Sequence, residues 1–213
     1  LQTRAHIEIP RQEQALDWAE KTLALDLSPS QRQAARLALD HKVLVFSGLP
    51  GTGKTTITRI ITAIFGAMKA RIALVAPTGR AAKAMTTLFG KEAKTIHRLL
   101  ETGFSEQGVM QFARNSNNPL NADAVIVDEA SMVDLFLAGS LLRALKPHTR
   151  LVLVGDSDQL PAIGAGSFFG DLLAVLPHVR LSQVFRQAQG SDIIMNAHAV
   201  NRGELPPLKK NDR

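Results

Sequence analysis

The residues with the plainest chemical meaning stand at positions 48 to 55, Gly48-Leu49-Pro50-Gly51-Thr52-Gly53-Lys54-Thr55. Glycines at the first, fourth and sixth places let the backbone curl until successive N–H groups converge on an anion. A helix opening near Lys54 adds the positive end of its dipole. Lys54 then reaches the outer phosphates of a nucleoside triphosphate, and the Thr55 hydroxyl is placed for Mg²⁺. Gly48, Gly51, Thr52, Gly53, Lys54, Thr55 and Thr56 form the predicted phosphate-binding set.

A second group, Asp128-Glu129-Ala130-Ser131, follows the apolar run 124–127 directly. Carboxylates just past the end of a buried strand lie where open α/β sheets bind ligands. Asp128 suits Mg²⁺ through its water shell, and Glu129 suits a general base that polarises an attacking water. The alternative for this pair is an acidic helix cap. A glutamate after the magnesium aspartate argues for hydrolysis of the triphosphate, since nucleotide kinases and GTPases usually lack it. The polar cluster Gly155-Asp156-Ser157-Asp158-Gln159-Leu160-Pro161 closes the next apolar run, 150–154. It places Gln159 beside the terminal phosphate, where an amide can bond that group or the attacking water.

These groups need a frame. Apolar runs at 43–47, 72–76, 124–127, 150–154 and 179–181 read as strands. Helical patterns alternate with them at 54–65, 79–89, 95–100, 133–145, 167–176 and 191–201. Continuous apolar strands separated by helices predict an α/β fold, a parallel sheet covered on both faces. Two helices precede it, at 11–25 and, behind Ser28-Pro29, to about residue 39. Residues 103–120 break the rhythm with Gly103, Gly108 and an asparagine-rich cluster, which reads as a small hairpin protruding from the sheet. Phe168 and Phe169 are assigned to the core.

The chain has 213 residues, 45% of them apolar and none of them cysteine. That suffices for one sizeable core without disulfides. No apolar stretch reaches the roughly 18 residues of a membrane span, and no signal pattern opens the chain. A soluble, cytoplasmic protein with no membrane partner is the expectation. A formal charge of +6 suggests an anionic partner beyond the nucleotide.

Taken in order, the motifs resemble the superfamily 1 helicases, most closely their RecD-like branch, from about residue 27 onward. Leu27-Ser28-Pro29-Ser30-Gln31 is similar to the motif that reads adenine, which gives Gln31 that role and makes the triphosphate ATP. Ala76-Pro77-Thr78-Gly79-Arg80-Ala81-Ala82 and Thr95-Ile96-His97-Arg98-Leu99-Leu100 resemble the motifs that line a single-stranded DNA path. The resemblance thus nominates Thr78, Gly79, Arg80, Thr95 and His97 as nucleic-acid contacts. Leu181 to Gln187 resembles the motif whose arginine, here Arg186, reaches the γ-phosphate. The catalytic set becomes Lys54, Asp128, Glu129, Gln159 and Arg186, with Thr55 and Asp128 on Mg²⁺.

The same resemblance implies a P-loop NTPase of RecA-like fold, whose hairpin is either a strand-separating pin or a surface loop. It divides the chain into an N-terminal helical segment (1–26), an ATP-binding domain (27–190) and a terminal helix and linker (191–213). The last part would lead toward a second RecA-like domain, and the chain reads as cut short. Such a domain alone is expected to bind Mg·ATP, hydrolyse it feebly and unwind nothing, while the two-domain motor translocates 5′ to 3′ on single-stranded DNA in recombination or repair. Other subunits stay open. Basic residues Arg80, Lys83, Lys91, Lys94 and Arg98 could hold phosphates or form a solvated face, and His97 could cap or pack instead of binding. Pro161-Ala162-Ile163 carries no aromatic residue, so a grip through the DNA backbone is expected. Competing functions are a small-molecule kinase, which leaves Glu129 and Gln159 idle, a nucleotide-dependent clamp that does not step, and an RNA-directed helicase.

Overall fold

The apolar runs pair into one parallel sheet. The computed structural model describes residues 9, 11–160, 162–164, 166–182 and 192–205. Two helices lead in, α1 (Gln12–Leu23) and α2 (Pro29–Asp40). Then follow β1 (Val43–Gly48), α3 (Lys54–Ala67), β2 (Ile72–Ala76), α4 (Gly79–Phe89), β3 (Ala93–Thr95) and α5 (Ile96–Leu99). An antiparallel hairpin of β4 (Thr102–Phe104) and β5 (Met110–Phe112) precedes β6 (Ala124–Val127), a 3₁₀ turn (Ala130–Met132) and α6 (Leu135–Ala144). The remaining described elements are β7 (Arg150–Gly155), α7 (Phe168–Val175), β8 (His178–Leu181) and α8 (Asp192–Asn201).

The sheet order is β3-β2-β6-β7-β1-β8, with parallel pairing throughout. Register aligns the functional ends. Ser47 pairs with Gly155, Gly48 with Leu181, and Val75 with Val127. The loops after β1, β2, β6 and β7 therefore leave from one edge of the sheet, the carboxyl edge on which ligands bind in this architecture.

Side chains alternate between the two faces, as strand geometry requires. Leu44, Phe46, Leu74, Ile126, Val152 and Val154 pack with α1–α4, whereas Val45, Val75, Val125, Val127, Leu151 and Leu153 pack with α5–α7. Phe168 and Phe169 are core residues of the second layer. The expected α/β fold and hairpin are thus present.

Polar residues at the opposite edge fix how the layers join. Buried Arg150, at the start of β7, donates to the Ala38 and His41 carbonyls at 3.2 and 2.7 Å. Those carbonyls close α2, the negative end of its dipole, and the guanidinium lies 5.8 Å from the Phe65 ring centre. Arg71 clamps Asp123 through its backbone N–H and two guanidinium nitrogens at 2.7–2.9 Å, tying the start of β2 to that of β6.

The structure differs from the sequence reading in three places. The strand Ala93–Thr95 was not expected and takes the first residue of the helix predicted over 95–100, so that α5 is correspondingly short. The helix predicted from residue 133 begins at Leu135, because extended Asp134 caps it by accepting the Leu137 N–H at 2.7 Å. The first helix stops at Leu23, where Ala24 turns left-handed.

Candidate nucleotide site

Residues 49–53 form a tight loop between β1 and α3 because two glycines in it take positive φ, Gly51 at 79° and Gly53 at 84°. Gly48 is demanded by packing instead. A Cβ there would stand 2.7 Å from Thr52 Oγ1 and 2.9 Å from the Leu181 carbonyl. Thr52 is buried and braces the loop by donating to the Leu49 carbonyl at 2.7 Å. Gly53 caps α3 without a side-chain bond, so the first N–H groups of that helix face the loop unpaired by a cap. Lys54 folds back and donates to the Gly48 and Leu49 carbonyls. Thr55 is exposed and Thr56 half-buried in the first turn of α3.

Two strands away, the Asp128 N–H still pairs with Val75, at 2.9 Å, and its Oδ1 accepts the Glu129 N–H at 3.0 Å. Glu129 then adopts a left-handed conformation, φ 52° and ψ 39°. A non-glycine residue held there is strained, as functional residues often are. This kink turns the chain into the 3₁₀ turn, which closes with the Met132 N–H on the Glu129 carbonyl at 3.0 Å.

The charges of these loops act on one another. Burial lowers the pKa of the Lys54 ammonium, and Asp156 and Asp128 oppose that shift. Burial raises the Asp128 carboxyl, against the Glu129 N–H and the Lys54 charge. Glu129 is raised by burial and then by Asp128, and the Arg80 charge opposes it. Among the described residues no group of three or more His, Cys, Asp or Glu could hold a metal ion. A magnesium carried in with phosphates asks for no such cage, only one or two protein oxygens. Asp128 and Thr55 fit that requirement.

The loop after β7 is anchored from several sides. Ser47, the penultimate residue of β1, donates to Ser157 Oγ at 2.9 Å and accepts the Ser157 N–H at 3.2 Å. Asp158 accepts from Arg180 at 3.3 Å and from Asn201 Nδ2 at 3.2 Å. Gln159 Oε1 accepts from the Ser131 hydroxyl at 3.0 Å. Asp156, Asp158 and Ser131 had no individual role in the sequence reading. Asp156 alone carried a signal, an acidic residue ending a strand as Asp128 does.

Other nominated residues sit as follows. Gln31 is buried and closes a capping box on α2. Its Oε1 accepts the Ser28 N–H at 3.0 Å, while its own N–H donates to Ser28 Oγ at 3.3 Å. Thr78 and Thr95 cap α4 and α5 by accepting the Ala81 and Arg98 N–H groups. Gly79 and Arg80 are exposed at the start of α4. The His97 ring packs 6.1 Å from Phe112 of the hairpin, and Phe112 lies 6.0 Å from Phe136 of α6. Packing, one of the two readings of His97, is therefore its observed contact. Arg186 lies outside the described residues. Among the described residues no helix is long and apolar enough to cross a membrane.

Comparison with known proteins fits this arrangement. The family described as "AAA domain" matches residues 31–165, a span from Gln31 through the phosphate loop to Gln159. The ATP-dependent RecD2 DNA helicase of Deinococcus radiodurans is 40% identical over 191 residues, covering 89% of this chain and 26% of that protein. RecBCD enzyme subunit RecD of Mycolicibacterium smegmatis is 40% identical over 166 residues, 67% of this chain and 30% of the relative. The chain thus spans between a quarter and a third of the length of these curated relatives. Among solved structures, Pif1 helicase from Candida albicans superposes with a TM-score of 0.57 at 23% identity, over 88% of this chain and 50% of that one, a likeness of fold. The chain belongs to the AAA domain family, as a RecA-like P-loop NTPase domain similar to the RecD-type DNA helicases.

Proposed function

We propose that this chain is the ATP-binding motor lobe of a RecD-like DNA helicase. The observation that carries the reading is the convergence of three loops on one edge of the sheet. There the Lys54 ammonium feels both Asp128 and Asp156, and Gln159 sits on the loop tied to β1. In this reading the loop amides and Lys54 hold the phosphates of ATP, and Lys54 exchanges the loop carbonyls for phosphate oxygens. Gln31 selects adenine. Thr55 and Asp128 hold Mg²⁺, which would neutralise charge developing on the phosphate oxygens. Glu129 takes the proton of the attacking water as its oxygen bonds the γ-phosphorus and the bond to ADP breaks. Gln159 and Arg186 contact the γ-phosphate.

Single-stranded DNA would lie against Thr78, Gly79, Arg80, Thr95 and His97. In the same reading, which rests here on the motif resemblance alone, the motor steps from 5′ to 3′ in the cytoplasm, in recombination or repair. A second RecA-like domain would close over the nucleotide and supply an arginine finger, worth about 10³–10⁵ in turnover. By itself the present domain then binds Mg·ATP and turns it over slowly.

The test is ATP hydrolysis by the full-length protein with and without single-stranded DNA. The expected result is strong stimulation, lost in Lys54→Ala, with Glu129→Gln binding ATP but not cleaving it. Normal turnover by Glu129→Gln would remove the general base. Turnover indifferent to DNA would overturn the motor reading in favour of a non-stepping switch.

A further inference from the structure

The turn that carries Glu129 and the loop that carries Gln159 are joined by a side-chain bond, from Ser131 Oγ to Gln159 Oε1 at 3.0 Å. Ser131 is 7% exposed, so this hydroxyl is well shielded from water. The two ends of an amide have opposite character, since the oxygen accepts and the nitrogen offers two donors. Facing a phosphate, only the nitrogen end attracts; the oxygen end would set lone pairs against lone pairs. Here the Ser131 hydroxyl donates to Oε1, which leaves the nitrogen end for the phosphate.

The backbone that carries this hydroxyl is held in place. Its backbone nitrogen lies 3.0 Å from where a Cβ on Gly155 would stand, and the 3₁₀ turn is closed around it by the Met132–Glu129 bond. Opposite, the Ser157–Ser47 pair holds the Gln159 loop to β1. Between them is a cavity of about 50 Å³ lined by Ser131, Asp156, Ser157, Gln159, Ser167 and Phe169 among others.

We propose that Ser131 is a positioning residue, whose hydroxyl holds the Gln159 amide oxygen so that the amide nitrogen is the end presented to the terminal phosphate. This deepens the ATP-site reading and rests on Gln159 facing that phosphate. Ser131 itself contacts no nucleotide. Its loss therefore weakens the preference for triphosphate over diphosphate and leaves diphosphate affinity unchanged.

The experiment is fluorescence titration of the 213-residue chain with Mg·ADP and with a non-hydrolysable Mg·ATP analogue. Wild type prefers the triphosphate. Gln159→Ala loses about tenfold of that preference, the worth of a bond to a charged acceptor. Ser131→Ala loses about three- to tenfold, on the same scale. Ser131→Thr, which keeps the hydroxyl, restores the preference, and ADP affinity is the same in all. Thermal melts check folding. Should Ser131→Ala melt early, Ser131→Cys, a weak donor of similar shape, carries the same expected loss. If Gln159→Ala loses the preference while Ser131→Ala and Ser131→Cys keep it, the proposal for Ser131 falls alone. If Gln159→Ala keeps it, the role given to Gln159 falls first and the proposal with it.

Discussion

Gly155→Ala probes the joint on which the site depends. Gly155 ends β7, and a Cβ there would stand 2.7 and 2.9 Å from the Cζ and Cε2 atoms of Phe169 and 3.0 Å from the Ser131 nitrogen. Ordinary contacts of this kind begin near 3.4 Å, so both neighbours must yield by several tenths of an ångström. Neither yields cheaply: Phe169 is 4% exposed within the second core layer, and the other contact is backbone. Overpacking a filled core costs about 1–3 kcal/mol. That multiplies the unfolded fraction by roughly 5- to 150-fold. At about 2–4 °C per kcal/mol for a chain of this size, the melting temperature should fall by roughly 2–12 °C.

Thermal and urea melts would measure the loss, and Phe169→Leu isolates its cause. That substitution removes the clashing ring edge, so the pair should be coupled by at least about 0.5 kcal/mol, the double variant being more stable than the sum of the singles. Melts of Gly155→Ala within about 0.5 kcal/mol of wild type, or strictly additive effects, would refute the steric argument.

Other outcomes follow from the same structure. If Glu129 is the general base proposed, it works deprotonated, and its raised pKa should trim hydrolysis from the acid side at higher pH than for a free glutamate. The Arg80 charge opposes that rise, so Arg80→Ala should move the acid limb to still higher pH in single-turnover hydrolysis. An unmoved limb would show that Arg80 does not act on Glu129. Ser28→Ala removes the hydroxyl that accepts the Gln31 N–H. It should cost about 1 kcal/mol by urea melt, with Ser28→Asp restoring most of it. Equal stability of Ser28→Ala and wild type would mean that the cap contributes nothing.

The long strands and helices were legible because their apolar periodicities are local. Val43–Gly48, Ala124–Val127 and Arg150–Gly155 are nearly all apolar and buried. Ala93–Thr95 was not, since Ala-Lys-Thr is half-buried and becomes a strand only by pairing with Leu74–Ala76. The start of α6 could have been read more closely, because Asp134 three residues before Leu137 is a cap signal. At the site, the motif residues and their order were readable, and so was the need for glycine in the phosphate loop. The left-handed Glu129 was not, because a kink at a non-glycine residue leaves no compositional trace. The Ser131–Gln159 bond joins residues 28 apart, and only the alignment of β6 with β7 makes them neighbours. His97 shows the limit from the other side: its partner Phe112 comes from the hairpin, and no local pattern names it.

The most direct test of the central claim is calorimetric titration of this chain with ATP, with and without Mg²⁺, for wild type and Lys54→Ala. The account predicts Mg²⁺-dependent binding at one site, abolished when the Lys54 ammonium is removed. No binding by wild type, or binding that survives in Lys54→Ala, would contradict the assignment of residues 48–56 as the ATP site.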